Sequence, residues 1–176
     1  MGKTITIILL VFVATILIFA PGLAQSDGES VVIIPYLSDP EIHIYSNQEV
    51  ILGARWGACS RGLAQAARSS ARLGWTMDGE TLFSSQKEVK QHWGPSVPED
   101  IGDIPCIAGD GMYLWRRHWR YSIGELDPGD YEIRLHYWLA RPTVDGADYD
   151  GDGRPDIFVG SLVDNTLIVH VEDPPD

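Results

Sequence analysis

Two stretches of alternating residues constrain this chain more than anything else in it. In residues 112–123, Tyr113, Trp115, Arg117, Trp119 and Tyr121 fall on one face, and Leu114, Arg116, His118 and Arg120 on the other. In residues 131–139, Tyr131, Ile133, Leu135, Tyr137 and Leu139 alternate with Glu132, Arg134, His136 and Trp138. A period of two places side chains on opposite faces of a pleated strand, whereas a helix of that pattern would present no continuous apolar face. Two long half-buried strands are therefore predicted. The face of Trp119, Tyr121 and Ile123 should pack against that of Tyr131, Ile133 and Leu135.

Shorter runs extend the pattern. Residues 31–34 form a β-branched edge strand stopped by Pro35, and residues 41–45 turn Ile42 and Ile44 to one side. Residues 49–58 place Leu52, Ala54 and Trp56 on one face, and residues 72–77 do the same with Leu73, Trp75 and Met77. Asp78-Gly79 then signals a two-residue hairpin returning through residues 80–83. Two late strands are expected at residues 157–163 and 167–171. Residues 61–71 have helical composition and read as a short helix or a long loop. Residues 84–110, rich in Pro, Gly, Asp and Glu, read as a long irregular connection. About seven to eight strands with almost no helix make an all-β chain, with a β-sandwich as its natural architecture.

The N-terminus reads as an export signal over residues 1–24. Lys3 supplies the positive start, residues 5–20 are apolar and uncharged, Pro21 breaks the run, and Gly22-Leu23-Ala24 offers the small residues of a cleavage site. An uncleaved anchor is the alternative, although 16 residues are short for a span of about 20. Cleavage would leave a single domain at residues 25–176, beginning with a flexible leader at 25–30 and free of the membrane. In a secreted or extracytoplasmic setting, Cys59 and Cys106 should form one disulfide. The chain carries 25 acidic against 13 basic residues, a net charge of −12. Such a surface is repelled by nucleic acid and by anionic membranes.

Five of the acids lie within residues 145–156. Asp148, Asp150, Asp152 and Asp156 occupy positions 1, 3, 5 and 9 of a loop with Gly153 at position 6. Calcium takes six to eight oxygens at about 2.3–2.6 Å, and alternating acids on a winding loop can surround one centre. The Arg154 carbonyl can add a further oxygen, and Asp145 can compensate for the absence of an acid at position 12, where Val159 stands. The motif resembles the calcium loops of dockerin, thrombospondin type-3 and FG-GAP repeats. That resemblance implies Asp148, Asp150, Asp152, the Arg154 carbonyl and Asp156 as ligands. A propeller needs several such loops and this chain has one, so the FG-GAP fold does not carry over.

A second resemblance concerns architecture. Residues 126–131, Leu-Asp-Pro-Gly-Asp-Tyr, precede an alternating strand and resemble the tyrosine corner of immunoglobulin-like domains. The resemblance implies an immunoglobulin-like β-sandwich in which the Tyr131 hydroxyl reaches back to upstream backbone and Trp75 is the inner tryptophan. Neither cysteine follows Tyr131 by two residues, so the chain is not an antibody-type domain.

The five histidines, His43, His92, His118, His136 and His170, are scattered without zinc spacing and read as solvent-facing strand positions. The sequence contains no Gly-x-Ser-x-Gly, His-Glu-x-x-His or phosphate-binding glycine loop. The first expectation is thus a secreted, non-catalytic immunoglobulin-like module with structural calcium, acting in adhesion, envelope or assembly contacts with a protein. A second is a carbohydrate-binding module that grips a polysaccharide with exposed tryptophans, with Trp138, His136, Arg134 and Trp93 as contact candidates. A third is a hydrolase whose site carries no recognised motif.

Overall fold

The computed structural model describes residues 30–100, 102–109, 111 and 113–175. The export signal expected over residues 1–24 lies outside the described residues, as does nearly all of the leader at 25–30. Most of the described chain is β-strand, arranged in two sheets.

The first sheet contains β1 (Val31–Ile33), β3 (Val50–Ala58), β7 (Tyr113–Gly124) and β6 (Trp93–Asp100), in that order. The second contains β2 (Glu41–Tyr45), β9 (Ile157–Glu172), β8 (Gly129–Val144), β4 (Ala71–Met77) and β5 (Glu80–Thr81). Two pairings are parallel, β1 with β3 and β2 with β9; the others are antiparallel. The inner faces meet in one core. Leu52, Ala54, Trp119 and Trp93 come from the first sheet, and Leu73, Trp75, Ile133, Leu135 and Leu167 from the second. The phase expected for residues 119–123 and 131–135 therefore holds: Trp119, Ile133 and Leu135 have no exposed surface, and Tyr121, Ile123 and Tyr131 pack against the same core.

The Asp78-Gly79 hairpin forms as expected, with φ of 51° and 80° and the strand pair Met77–Glu80 on either side. Two positive φ values belong to a turn whose twist matches that of the flanking strands. Residues 61–71 resolve as a helix, α1 (Arg61–Ser70), capped by Ser60, whose hydroxyl accepts from the Leu63 N–H at 3.2 Å.

Two expectations are corrected. Residues 84–110 are not an irregular connection throughout. They hold a helical turn, α2 (Gln86–Val89), a 3₁₀ turn over Lys90–His92 and the edge strand β6. Pro95 and Pro98 hid this strand in the sequence. On an edge only one side needs its N–H groups, and the register breaks between Trp93 and Ser96, where Pro95 stands. Residues 157–163 and 167–171 are one strand, not two. Tyr137 pairs with Val163 and Trp138 with Ser161, so Leu162 is an extra residue that reverses the inward face partway along β9. Arg117 shares the face of Trp119 on β7 and, although charged, is buried. Its guanidinium donates to Gln65 of α1 and to the carbonyl of Gly94 in the β6 bulge.

Candidate metal centre

The acidic segment is the connection between β8 and β9. Its base is closed by the Asp156 N–H donating to the Ala147 carbonyl at 2.8 Å. Gly151 and Gly153 take φ of 78° and 83°, a region that favours glycine and lets the loop wind tightly. The loop is organised around Asp148, which is buried. Its Oδ1 accepts N–H bonds from Gly151 and Asp152 at 2.7 and 3.1 Å, and its Oδ2 accepts from Gly153 at 2.8 Å. Asp156 accepts from the Tyr149 N–H at 2.7 Å, and Asp150 from the Asp152 N–H at 3.1 Å.

Of the acids singled out in the sequence, Asp148, Asp150 and Asp156 bring carboxylate oxygens within 4.8 Å of one another. Their charges leave an electrostatic signature. Desolvation works to raise the Asp148 carboxyl, but N–H bonds from Gly153 and Gly151 outweigh it and hold the group below its ordinary value. The Asp152 N–H works to lower Asp150, yet the neighbouring charges of Asp152 and Asp156 help push it above its ordinary value. Like charges sharing one small volume resist joint ionisation.

The other candidates stand aside from the cluster. Asp152 accepts from the Arg154 N–H at 2.8 Å, and Arg154 itself is exposed. Asp145 has its oxygens engaged by the Ala147 N–H at 2.9 Å and the Tyr149 hydroxyl at 3.0 Å. Burial raises the Asp145 carboxyl, and burial together with the Asp145 charge pushes the Tyr149 hydroxyl up to about 12. Asp145 and Tyr149 also border a cavity of about 490 Å³ whose wall includes Trp56, Phe158, Arg55 and Arg116.

The disulfide is present. Cys59 and Cys106 are joined, with Cα atoms 5.6 Å apart. It anchors the loop stem. Cys59 N–H donates to the Asp145 carbonyl, Ile107 and Ala108 donate to Gly146, and Asp148 donates to Pro105. A Cβ on Gly146 would lie 2.6 Å from the Ala108 carbonyl oxygen and 3.0 Å from Cys59 Cβ, so only glycine permits this approach. The end of β3, the segment around Cys106 and the root of the acidic loop are thus one knot.

The sugar-contact candidates fare differently. Trp93 is buried in the core, which corrects its placement in a polar connection. Trp138 is half-buried and stacks on His136 at 4.6 Å, so one broad face of the indole is occupied. Arg134 is committed to Asp164, with two bonds of 2.8 and 2.9 Å. None of the six tryptophans is exposed. One juxtaposition escaped the sequence altogether: His43 and His170, 127 positions apart, face each other in register on the β2–β9 pair. Nothing local in the sequence marks such a pair.

No protein-family model matches the sequence, and no curated protein does either. Among solved structures, the chain is compared with a cysteine protease inhibitor of Entamoeba histolytica, EhICP2, at 8% identity and a TM-score of 0.35. It is also compared with amebosin, in a solution structure, at 10% identity and a TM-score of 0.27. Each comparison covers 84% of this chain and 100% of the other. Scores this low carry no argument about fold or function.

Proposed function

We propose that this chain is an exported, non-catalytic immunoglobulin-like module whose β8–β9 loop takes calcium as a structural ion. It would serve extracytoplasmic adhesion, envelope or assembly contacts. The observation that carries the calcium reading is the convergence of Asp148, Asp150 and Asp156 within 4.8 Å. Three carboxylates at that spacing repel one another; a divalent cation turns the repulsion into coordination. Asp152, the Arg154 carbonyl and Asp145 are the further oxygens that small loop adjustments would bring in. The immunoglobulin-like reading draws support from the corner at Tyr131, whose hydroxyl donates to the Asp127 carbonyl at 2.9 Å, and from the buried Trp75 between the sheets.

The calcium is structural in this reading because the loop it would order is tied through Asp145, Gly146 and Asp148 to the disulfide. A carbohydrate-binding role required exposed tryptophans, and none of the six is exposed, so the first reading is preferred.

Isothermal titration of the mature protein tests the site. Calcium should bind at one site per chain, and Asp150→Ala should abolish binding. Magnesium should compete poorly, because it demands a tight octahedron and sheds water reluctantly. Equal affinity for the two ions, or binding unchanged in Asp150→Ala, would remove this reading of the loop.

A further inference from the structure

In the second sheet β2 is an edge strand, and among the described residues its strand partner is β9, in parallel register. His43 and His170 are direct partners there, and their rings stack with centroids 4.7 Å apart and planes 26° from parallel. Each ring has its Nδ1 against a carboxylate: His43 to Glu172 Oε1 at 3.0 Å, and His170 to Asp130 Oδ1 at 2.7 Å. An ionised carboxylate only accepts, so each Nδ1 carries the proton and donates it. In the neutral rings the lone pair is then on Nε2. Neither Nε2 has a protein partner among the described residues. The two side chains remain 52% and 27% exposed, so solvent ions reach them.

We infer that His43 and His170 form a surface binding site for a borderline divalent transition-metal ion, through their two Nε2 atoms. The arrangement has the two features such ions require. It offers neutral imidazole nitrogens rather than bare carboxylates, which suits Cu²⁺, Ni²⁺ and Zn²⁺ and not Ca²⁺. It also supplies the outer partners: a carboxylate on the far nitrogen fixes the tautomer, holds the ring and makes the ligating nitrogen more basic. Zinc binds imidazole nitrogen at about 2.0–2.1 Å, so two nitrogens on one ion stand about 3–3.5 Å apart. The rings stack with centroids 4.7 Å apart, so bringing both Nε2 lone pairs onto one ion requires the rings to tilt toward each other, and water would complete the coordination. The site is remote in sequence from the acidic loop and draws on a different ligand chemistry, so it stands whether or not that loop takes calcium.

The site has a consequence for the fold. His43 lies on a five-residue edge strand near the start of the domain and His170 on its last strand. An ion bridging them would clamp β2 to β9, adding to the folded state a link the unfolded chain lacks.

The test is titration of the mature protein with ZnCl₂ and NiCl₂ in saturating calcium, which removes the acidic loop as a competitor. Wild-type protein should bind one ion of each, with a rise in melting temperature. His43→Gln and His170→Gln should each weaken binding at least tenfold, while His118→Gln leaves it intact. Glu172→Gln should weaken it by about tenfold or more by removing the outer partner. These positions are on the outer face, and circular dichroism of each variant checks that it is folded. Absence of zinc and nickel binding in the wild type, or binding retained in both His43→Gln and His170→Gln, would overturn the inference.

Discussion

Trp75 and Trp119 stack across the boundary between the two sheets, with ring centroids 5.4 Å apart and planes 17° from parallel. Each is fully buried, but they are held differently. The Trp119 indole donates to the Val89 carbonyl at 2.6 Å, whereas the Trp75 indole nitrogen has no partner among the described residues. Trp119→Phe should therefore destabilise the fold by about 1–3 kcal/mol more than Trp75→Phe, because it leaves a buried carbonyl unpaired. Urea denaturation of the two variants measures the difference. Equal costs would show that the hydrogen bond to Val89 contributes nothing.

Tyr137 presents the same situation with a hydroxyl. It is buried on β8, its oxygen has no hydrogen-bond partner among the described residues, and burial raises its pKa well above the ordinary tyrosine value. Tyr36 is also raised by burial. A group whose folded pKa is raised contributes its full stability below the unfolded value, and that contribution is lost as pH climbs toward the folded one. Stability should hold to about pH 10 and decline beyond it. Tyr137→Phe should cost nothing at pH 7 and make the alkaline decline shallower. Melting temperatures between pH 7 and 11.5 check both, and a decline of unchanged steepness would show that another group titrates.

What the sequence shows of the fold depends on how far each signal extends along the chain. Strands such as β7 and β8 announce themselves because a sheet with one buried face must alternate. β6 did not, because an edge strand tolerates Pro95 and Pro98. β9 reads as two strands in the sequence because Leu162 reverses its phase. The acidic loop is legible as a spacing, since its carboxylates are neighbours in sequence, but Asp145 and Asp152 have found partners within the loop. The His43–His170 pair was invisible, because adjacency on parallel strands leaves no local trace.

The disulfide and the acidic loop should act as a coupled pair. Cys59 donates its N–H to Asp145, and Gly146 lies against both Cys59 and Ala108. Closing a loop that spans 47 residues is worth up to ~4 kcal/mol on the chain-entropy model. Cys59→Ser with Cys106→Ser should lower stability by up to that amount and also weaken calcium binding. Titration of the double variant measures the second effect. Calcium affinity unchanged in a folded double variant would show that the loop needs no anchor.

The most direct measurement of calcium in the β8–β9 loop is the melting temperature of the mature protein with calcium and with excess chelator. Binding to the folded state alone stabilises by about 2.7 kcal/mol at a hundredfold excess over Kd, which for a domain of this size is a rise of about 5–10 °C. Asp150→Ala should abolish that rise, and Asp127→Ala, outside the loop, should keep it. The same melting temperature with calcium and with chelator would contradict the account and reduce the loop to an acidic turn.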